Sequence, residues 1–156
     1  MIASALVTGA TRGIGLGVAT RLAERGFALT ISARDATRLD EVAALLRDAG
    51  ATDVRTVAAD LADPDAAGRV VAAHADAFGA MKALVLNAGV GTAGTIAEFP
   101  SRRFDKTVAV NLNAPFALMQ AALPLLRSGA RNDPGRGAKV IALASIAGVY
   151  AEAGLA

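Results

Sequence analysis

Residues 8–15 read TGATRGIG and follow directly on the apolar run IASALV, residues 2–7. Gly9, Gly13 and Gly15 stand in the spacing G-x-x-x-G-x-G, which lets the backbone turn tightly and approach a ligand as a helix begins at about Gly13. Free N–H groups and the positive helix end would then face an anion of the pyrophosphate kind. The strict G-x-G-x-x-G pattern is not met, since after Gly13 and Gly15 its third place falls on Val18. Taken alone, the stretch is also compatible with an ordinary strand-to-helix loop. Its position straight after a first strand points to a dinucleotide.

Working outward, short apolar runs recur along the chain: ALTISA (28–33), VRTVAA (54–59), KALVLN (82–87) and AKVIALA (138–144). They are strand-sized and continuously apolar, as strands covered on both faces of a parallel sheet should be. Between them the spacing turns helical. Ile14, Val18 and Leu22 share one face of a first helix, Leu39, Val42 and Leu46 of a second, and Val70, His74 and Phe78 of a third. A long fourth helix carries Phe104, Val108, Leu112, Met119 and Leu123 as its stripe. RSGARNDPGRGA (127–138) reads as a surface connection into the fifth strand. The alternation predicts an α/β fold, a doubly wound open parallel sheet with helices on both faces, in which ligands bind just beyond the carboxyl ends of the strands.

Composition narrows the function classes. The 156 residues are 54% hydrophobic and 19% charged, enough for one domain with a buried core. Sixteen Lys and Arg against fourteen Asp and Glu leave a surplus of +2, scattered along the chain, and aromatics are only 4%. Nucleic acid is therefore not expected as a partner. Cysteine is absent, which excludes a disulfide, a thiolate metal site and a cysteine nucleophile. No window approaches the about 18 consecutive apolar residues of a membrane span, and a cytoplasmic protein without membrane contact is expected.

TGATRGIG, followed in order by LNAGVG (86–91), VNLNAPF (110–116) and VIALASIAG (140–148), resembles the classical short-chain dehydrogenases/reductases over the whole chain. The resemblance implies a Rossmann-type NAD(P)-binding domain over 1–156 and an oxidoreductase that transfers hydride between the cofactor and a small carbonyl or alcohol substrate, 3-oxoacyl compounds among them. Gly9, Thr11, Arg12, Gly13, Ile14 and Gly15 would cradle the pyrophosphate. Arg34, at the end of the second strand, takes the place where a carboxylate would accept from the adenosine ribose of NAD and where a cation can pair with the extra phosphate of NADP. With Arg12 as a second cation, NADP(H) is expected and NAD is possible, Asp35 beside Arg34 being the ambiguous element. Asp60 and Leu61 match the family's adenine contacts, although an Asp there also suits a turn or a helix cap. Asn87, Ala88 and Gly89 leave room for the cofactor, with the Asn side chain bracing neighbouring strands.

Asn111 and Ser145 match catalytic positions. Pro115, four residues after Asn111, has no N–H to give, so the Asn111 carbonyl loses its helical partner and can hold a water of the proton relay; alternatively Pro115 merely kinks the helix. Ser145 would donate to the substrate oxygen and stabilise the charge that develops during hydride transfer. The family's catalytic tyrosine, with a lysine one helical turn later, would fall beyond Ala156. Tyr150 is the only tyrosine, and the position one turn later is Gly154, so it is read as a loop residue over the site. His74 is expected to be a half-buried structural residue. Ser145 lies between Ala144 and Ile146, without the G-x-S-x-G elbow of a hydrolase.

On this reading the fold is truncated after the fifth strand, leaving AKVIALA as an uncovered apolar edge, and the chain is the amino-terminal part of a longer reductase, inactive by itself. The full protein would be a homo-dimer or homo-tetramer, with the fourth helix as the candidate contact. The competing reading is a dinucleotide-binding module without catalysis.

Overall fold

In the computed structural model, which describes residues 2–150 and 154, strands and helices alternate along the chain. They are β1 (Ser4–Thr8), α1 (Gly13–Ala23), β2 (Ala28–Ala33), α2 (Ala36–Asp48), β3 (Asp53–Ala58), α3 (Ala66–Phe78) and β4 (Ala83–Leu86). There follow α4 (Ser101–Val108), a π-helical turn (Ala109–Asn113), α5 (Ala114–Arg131), β5 (Lys139–Ala142) and a 3₁₀ turn (Ile146–Gly148). The strands form one parallel sheet in the order β3-β2-β1-β4-β5, with Leu6 of β1 opposite Thr30 of β2 and Leu84 of β4. The order reverses beside β1. The carboxyl ends of β1 and β4 diverge there into different connections, which opens a crevice.

Alternation along β1 divides the core. Ala5 and Val7 face α1 and α2, packing with Leu29, Ile31, Leu39, Val42 and Leu46. Leu6 faces the other way, toward Val70, Leu118, Ala122 and Leu126 of α3 and α5. The stripe expected on α2 is thus the buried one.

On α1 it is not. The line against the sheet is Gly15, Ala19 and Ala23, while Val18 and Leu22 flank the core and Ile14 is 68% exposed. Small residues bring the helix axis close to the sheet, and the larger side chains are turned to its sides. The long helical run differs in the same way. Its buried line is Val110, Ala114, Leu118, Ala122 and Leu126, whereas Phe104, Leu112, Met119 and Leu123 of the expected stripe are exposed. The chain here has two apolar faces, and hydropathy alone points to the bulkier one.

Helix α5 also runs on to Arg131, through residues expected in a surface loop. Gly129 permits this, because a Cβ there would run into the backbone of Met81 just before β4. The N–H of Met81 in turn donates to the carbonyl of Leu125 at 3.0 Å. The unbroken run Ser101–Arg131 is long and apolar enough, by length and composition, to cross a membrane, contrary to the window reading. Its apolar character is shared between the face on the sheet and the exposed face.

His74 is fully buried, not half-buried. Its Nε2 lies 3.1 Å from the carbonyl of Ala80, which can only accept, so Nε2 carries the hydrogen and Nδ1 accepts from the Thr30 hydroxyl at 2.8 Å. Ser4 donates to the same carbonyl. These bonds tie α3 to the interiors of β1 and β2. Burial pushes the imidazole pKa down to about 4, against a smaller upward pull from the Ala80 carbonyl.

β5 forms one edge of the sheet, and its four residues are exposed, Val140 by 46% and Ile141 by 43%.

Candidate active site

The glycine turn after β1 is held from three sides. Gly9 (φ +66°) and Gly13 (φ +55°) have left-handed backbone, and the N–H of Gly9 donates to the carbonyl of Ser32 at 2.7 Å. Asn87, just past β4, closes the turn from the other side: its Nδ2 donates to the carbonyls of Thr8 at 2.9 Å and Gly9 at 3.0 Å. The Thr8 hydroxyl accepts from the N–H groups of Asn87 and Ala88, both at 3.0 Å. Sequence reasoning assigned no role to Thr8, although its place as the first residue of the turn is the signal for one.

At the start of α1 no side chain caps the helix, and the first turn holds no acidic residue. Around Gly13 a Cβ would meet nothing within 4 Å, so the backbone there is open to the cleft. An uncapped helix start offers its first N–H groups and its positive dipole end to an anion. Helix α2 differs, since Asp35 caps it by accepting from the Arg38 N–H at 3.0 Å.

The resulting cleft, about 770 Å³, falls within the size range of small-molecule sites. It brings together Gly9, Thr11, Arg12, Gly13, Ile14, Arg34, Asp60, Leu61, Asn87, Ala88 and Gly89, residues from four loops far apart in sequence. Gly15 does not line it but lies beneath, where a Cβ would collide with Asn87 Nδ2 and the Gly9 carbonyl. Ser32, Asp35, Arg38, Val90 and Lys106 also line the cleft and were not foreseen as binding residues. Arg38 could have been found as the residue one turn behind an Asp cap, whereas Lys106 is brought in only by the tertiary fold.

Charges at the two ends of the cleft are disposed differently. Lys106 stands 3.7 Å from Asp60, whose other oxygen accepts from the Ala62 N–H at 3.0 Å, the turn role open to an Asp at that place. Arg38 is paired with Glu41 at 2.6 Å. Among the described residues Arg12 and Arg34 make no ion pair. An uncapped helix start, two unpaired guanidinium groups and a glycine backbone fit a phosphorylated dinucleotide.

Asn111 and Ser145 are not among the residues that line the cleft, although Asn111 is bonded to Val90, which is one of them. Asn111, in the π-turn, accepts from the Val90 N–H and donates to the Val90 carbonyl, both at 2.9 Å, and so pins the loop leaving β4. The donor missing at Pro115 is accommodated by the π-turn, where the Ala114 N–H reaches back to Ala109. Ser145 follows β5, and its Oγ accepts from the Ala147 N–H at 3.2 Å. Tyr150 is exposed and lies two residues past the 3₁₀ turn, its N–H donating to the Ile146 carbonyl at 3.0 Å.

Fold and cleft together define an α/β protein of the class that holds a dinucleotide across the carboxyl ends of a parallel sheet. The model of the short chain dehydrogenase family matches residues 3–156, and the chain belongs to that family. It is 35% identical over 148 residues to the rhamnolipids biosynthesis 3-oxoacyl-[acyl-carrier-protein] reductase of Pseudomonas aeruginosa, covering 94% of this chain and 56% of the relative. It is 36% identical over 149 residues to the L-rhamnose 1-dehydrogenase (NAD(P)(+)) of Azotobacter vinelandii, covering 90% and 54%. Among solved structures, the Pseudomonas aeruginosa RhlG/NADP active-site complex superposes with a TM-score of 0.86 at 33% identity, covering 96% of this chain and 57% of that one. The NADH-dependent reductase A1-R' complexed with NAD gives 0.89 at 26% identity, covering 99% and 64%. The chain thus spans about half the length of the curated relatives it matches.

Proposed function

We propose that the chain is the dinucleotide-binding part of a reductase that takes NADP(H) in preference to NAD(H) and transfers hydride between the nicotinamide and a carbonyl or alcohol. The observation that carries this reading is the state of the charges at the adenosine end. Among the described residues Arg34 and Arg12 have no carboxylate partner, while Asp35, the group that could have accepted from an unphosphorylated ribose, is engaged in capping α2. A ribose 2′-phosphate supplies the missing counter-charge.

Bound in the cleft, the cofactor would supply the hydride. The chain's own groups bind and polarise. The open N–H groups of α1 hold the pyrophosphate, and Asn87 fixes the turn that presents them. Ser145 Oγ accepts within its own turn and so retains its hydrogen to donate to a substrate oxygen. Both polar atoms of the Asn111 side chain are taken by Val90, which leaves its carbonyl as the group to hold a relay water. Tyr150 lacks a cation one turn later and is not assigned a proton-transfer role. Carbonyls of the 3-oxoacyl type are the first substrates to test, a choice supported by the name of the Pseudomonas aeruginosa relative.

Titration with NADPH and NADH tests the reading. NADPH should bind at least about tenfold tighter, and Arg34→Ala should remove most of that difference, as expected for loss of a charge-assisted contact. Equal affinities in the unaltered chain would overturn the phosphate assignment.

A further inference from the structure

Two features at the adenosine end of the cleft have no part in the function above. Ser32, next to the last residue of β2, is 1% exposed and lines the cleft, and its Oγ is the buried side-chain polar atom without a hydrogen-bond partner among the described residues. Buried hydroxyls are ordinarily satisfied, so an orphan on a cleft wall points to a ligand atom that completes it. Two residues beyond Ser32 comes Arg34, and one turn into α2 comes Arg38.

The position of Arg38 is unfavourable for its own helix. A cation in the first turn opposes the positive end of the helix dipole, and sequence preference places acidic residues there. Arg38 lines the cleft, and its guanidinium is held by Glu41 at 2.6 Å. That pair is about half exposed on both sides, 48% and 55%, and is therefore weak and exchangeable. A phosphate monoester carries nearly two charges and three acceptor oxygens, and it matches a guanidinium fork better than one solvated carboxylate does.

We propose that Arg38 is a third specificity-determining cation for the adenosine 2′-phosphate, beside Arg12 and Arg34, and that Glu41 competes with the phosphate for it. The inference rests on the reading of this cleft as a dinucleotide site. Glu41 holds Arg38 against α2; a 2′-phosphate draws the guanidinium inward. The pair thereby sets how strongly phosphorylated and unphosphorylated nucleotides are discriminated.

Calorimetric titration with 2′,5′-ADP and 5′-AMP, which occupy only the adenosine end, tests this in the unaltered chain and in Arg34→Ala, Arg38→Ala and Glu41→Gln. Arg38→Ala should weaken 2′,5′-ADP about tenfold and change 5′-AMP by less than about twofold, as expected for one charge-assisted contact to the phosphate. Glu41→Gln should tighten 2′,5′-ADP, since the competing charge is gone, with 5′-AMP unchanged. If Arg34→Ala weakens 2′,5′-ADP while Arg38→Ala and Glu41→Gln do not alter it, the Arg38 proposal is overturned and the NADP reading stands. An equal loss of both nucleotides in Arg38→Ala would overturn it as well, by showing a merely structural part in α2. If the unaltered chain fails to distinguish the two nucleotides, both readings fall.

Discussion

Asn87 and Gly15 share one small volume: the Nδ2 that donates to the Thr8 and Gly9 carbonyls occupies the place a Cβ on Gly15 would need. The third glycine of the turn is therefore fixed by packing beneath the cleft and not by contact with a ligand. Gly15→Ala should destabilise the fold by about 1–3 kcal/mol, the usual cost of overpacking, and abolish nucleotide binding. At Gly17, two residues further along α1, a Cβ would meet nothing within 4 Å, and Gly17→Ala should leave stability unchanged or raise it by up to about 1 kcal/mol. Urea denaturation of the two variants checks the contrast.

His74 makes stability depend on pH in a defined window. Its folded-state pKa of about 4 lies below the ordinary 6.5, so the unfolded chain binds a proton that the folded chain refuses. Stability should be complete above about pH 6.5 and fall as pH drops toward 4, by up to about 3 kcal/mol from this group. Asp63, paired with Arg69, and Asp133, paired with Lys82, both have lowered pKa values and lose stability in the same direction at lower pH. Denaturation midpoints from pH 7 to 4.5, compared with those of His74→Gln, isolate the histidine: the variant should be less stable at pH 7 and have a flatter profile.

Asn111 acts first as a brace. Asn111→Ala removes both bonds to Val90 and should cost about 1–2 kcal/mol of stability, while loosening the loop that carries Gly89 into the cleft. NADPH affinity should fall in parallel. Asn111→Asp keeps the acceptor for the Val90 N–H and should lie between the two, as read by titration at neutral pH.

The exposed face of the long helical run, with Leu112 65% and Phe116 64% exposed beside Phe104 and Leu123, has the apolar character of a contact between copies. We propose it as the homo-oligomer face of the full-length protein. Phe116→Glu should lower the oligomeric state seen by light scattering while leaving nucleotide affinity intact. A full-length protein that is monomeric before substitution would remove the proposal.

Much of this was legible in advance because parallel strands buried on both faces are continuous apolar runs, and loops that follow them carry the ligand contacts. The five strands, the glycine turn and eleven of the cleft residues could be placed from those two rules and the family resemblance. What could not be read were orientations. Gly15, Ala19 and Ala23 outrank Ile14, Val18 and Leu22 at the sheet because small residues shorten the distance between layers, a preference hidden from any hydropathy scale. Lys106 enters the cleft only through contacts between distant segments. The engagement of Asp35 as a cap, which separates it from Arg34 in function, is a matter of one backbone bond.

The π-turn Ala109–Asn113 amounts to a spare residue lodged inside a helix. Helix α5 keeps its seat through Ala114, Leu118, Ala122 and Leu126, whereas α4 buries no residue, so a change of length here falls on α4 and on the turn itself. Deleting one residue from this turn would leave α5 seated and restore regular winding, yet it would carry Asn111 away from Val90. Length variation is thus tolerable here for the scaffold and intolerable for the loop it supports: within a single helix, an insertion has become an instrument of alignment.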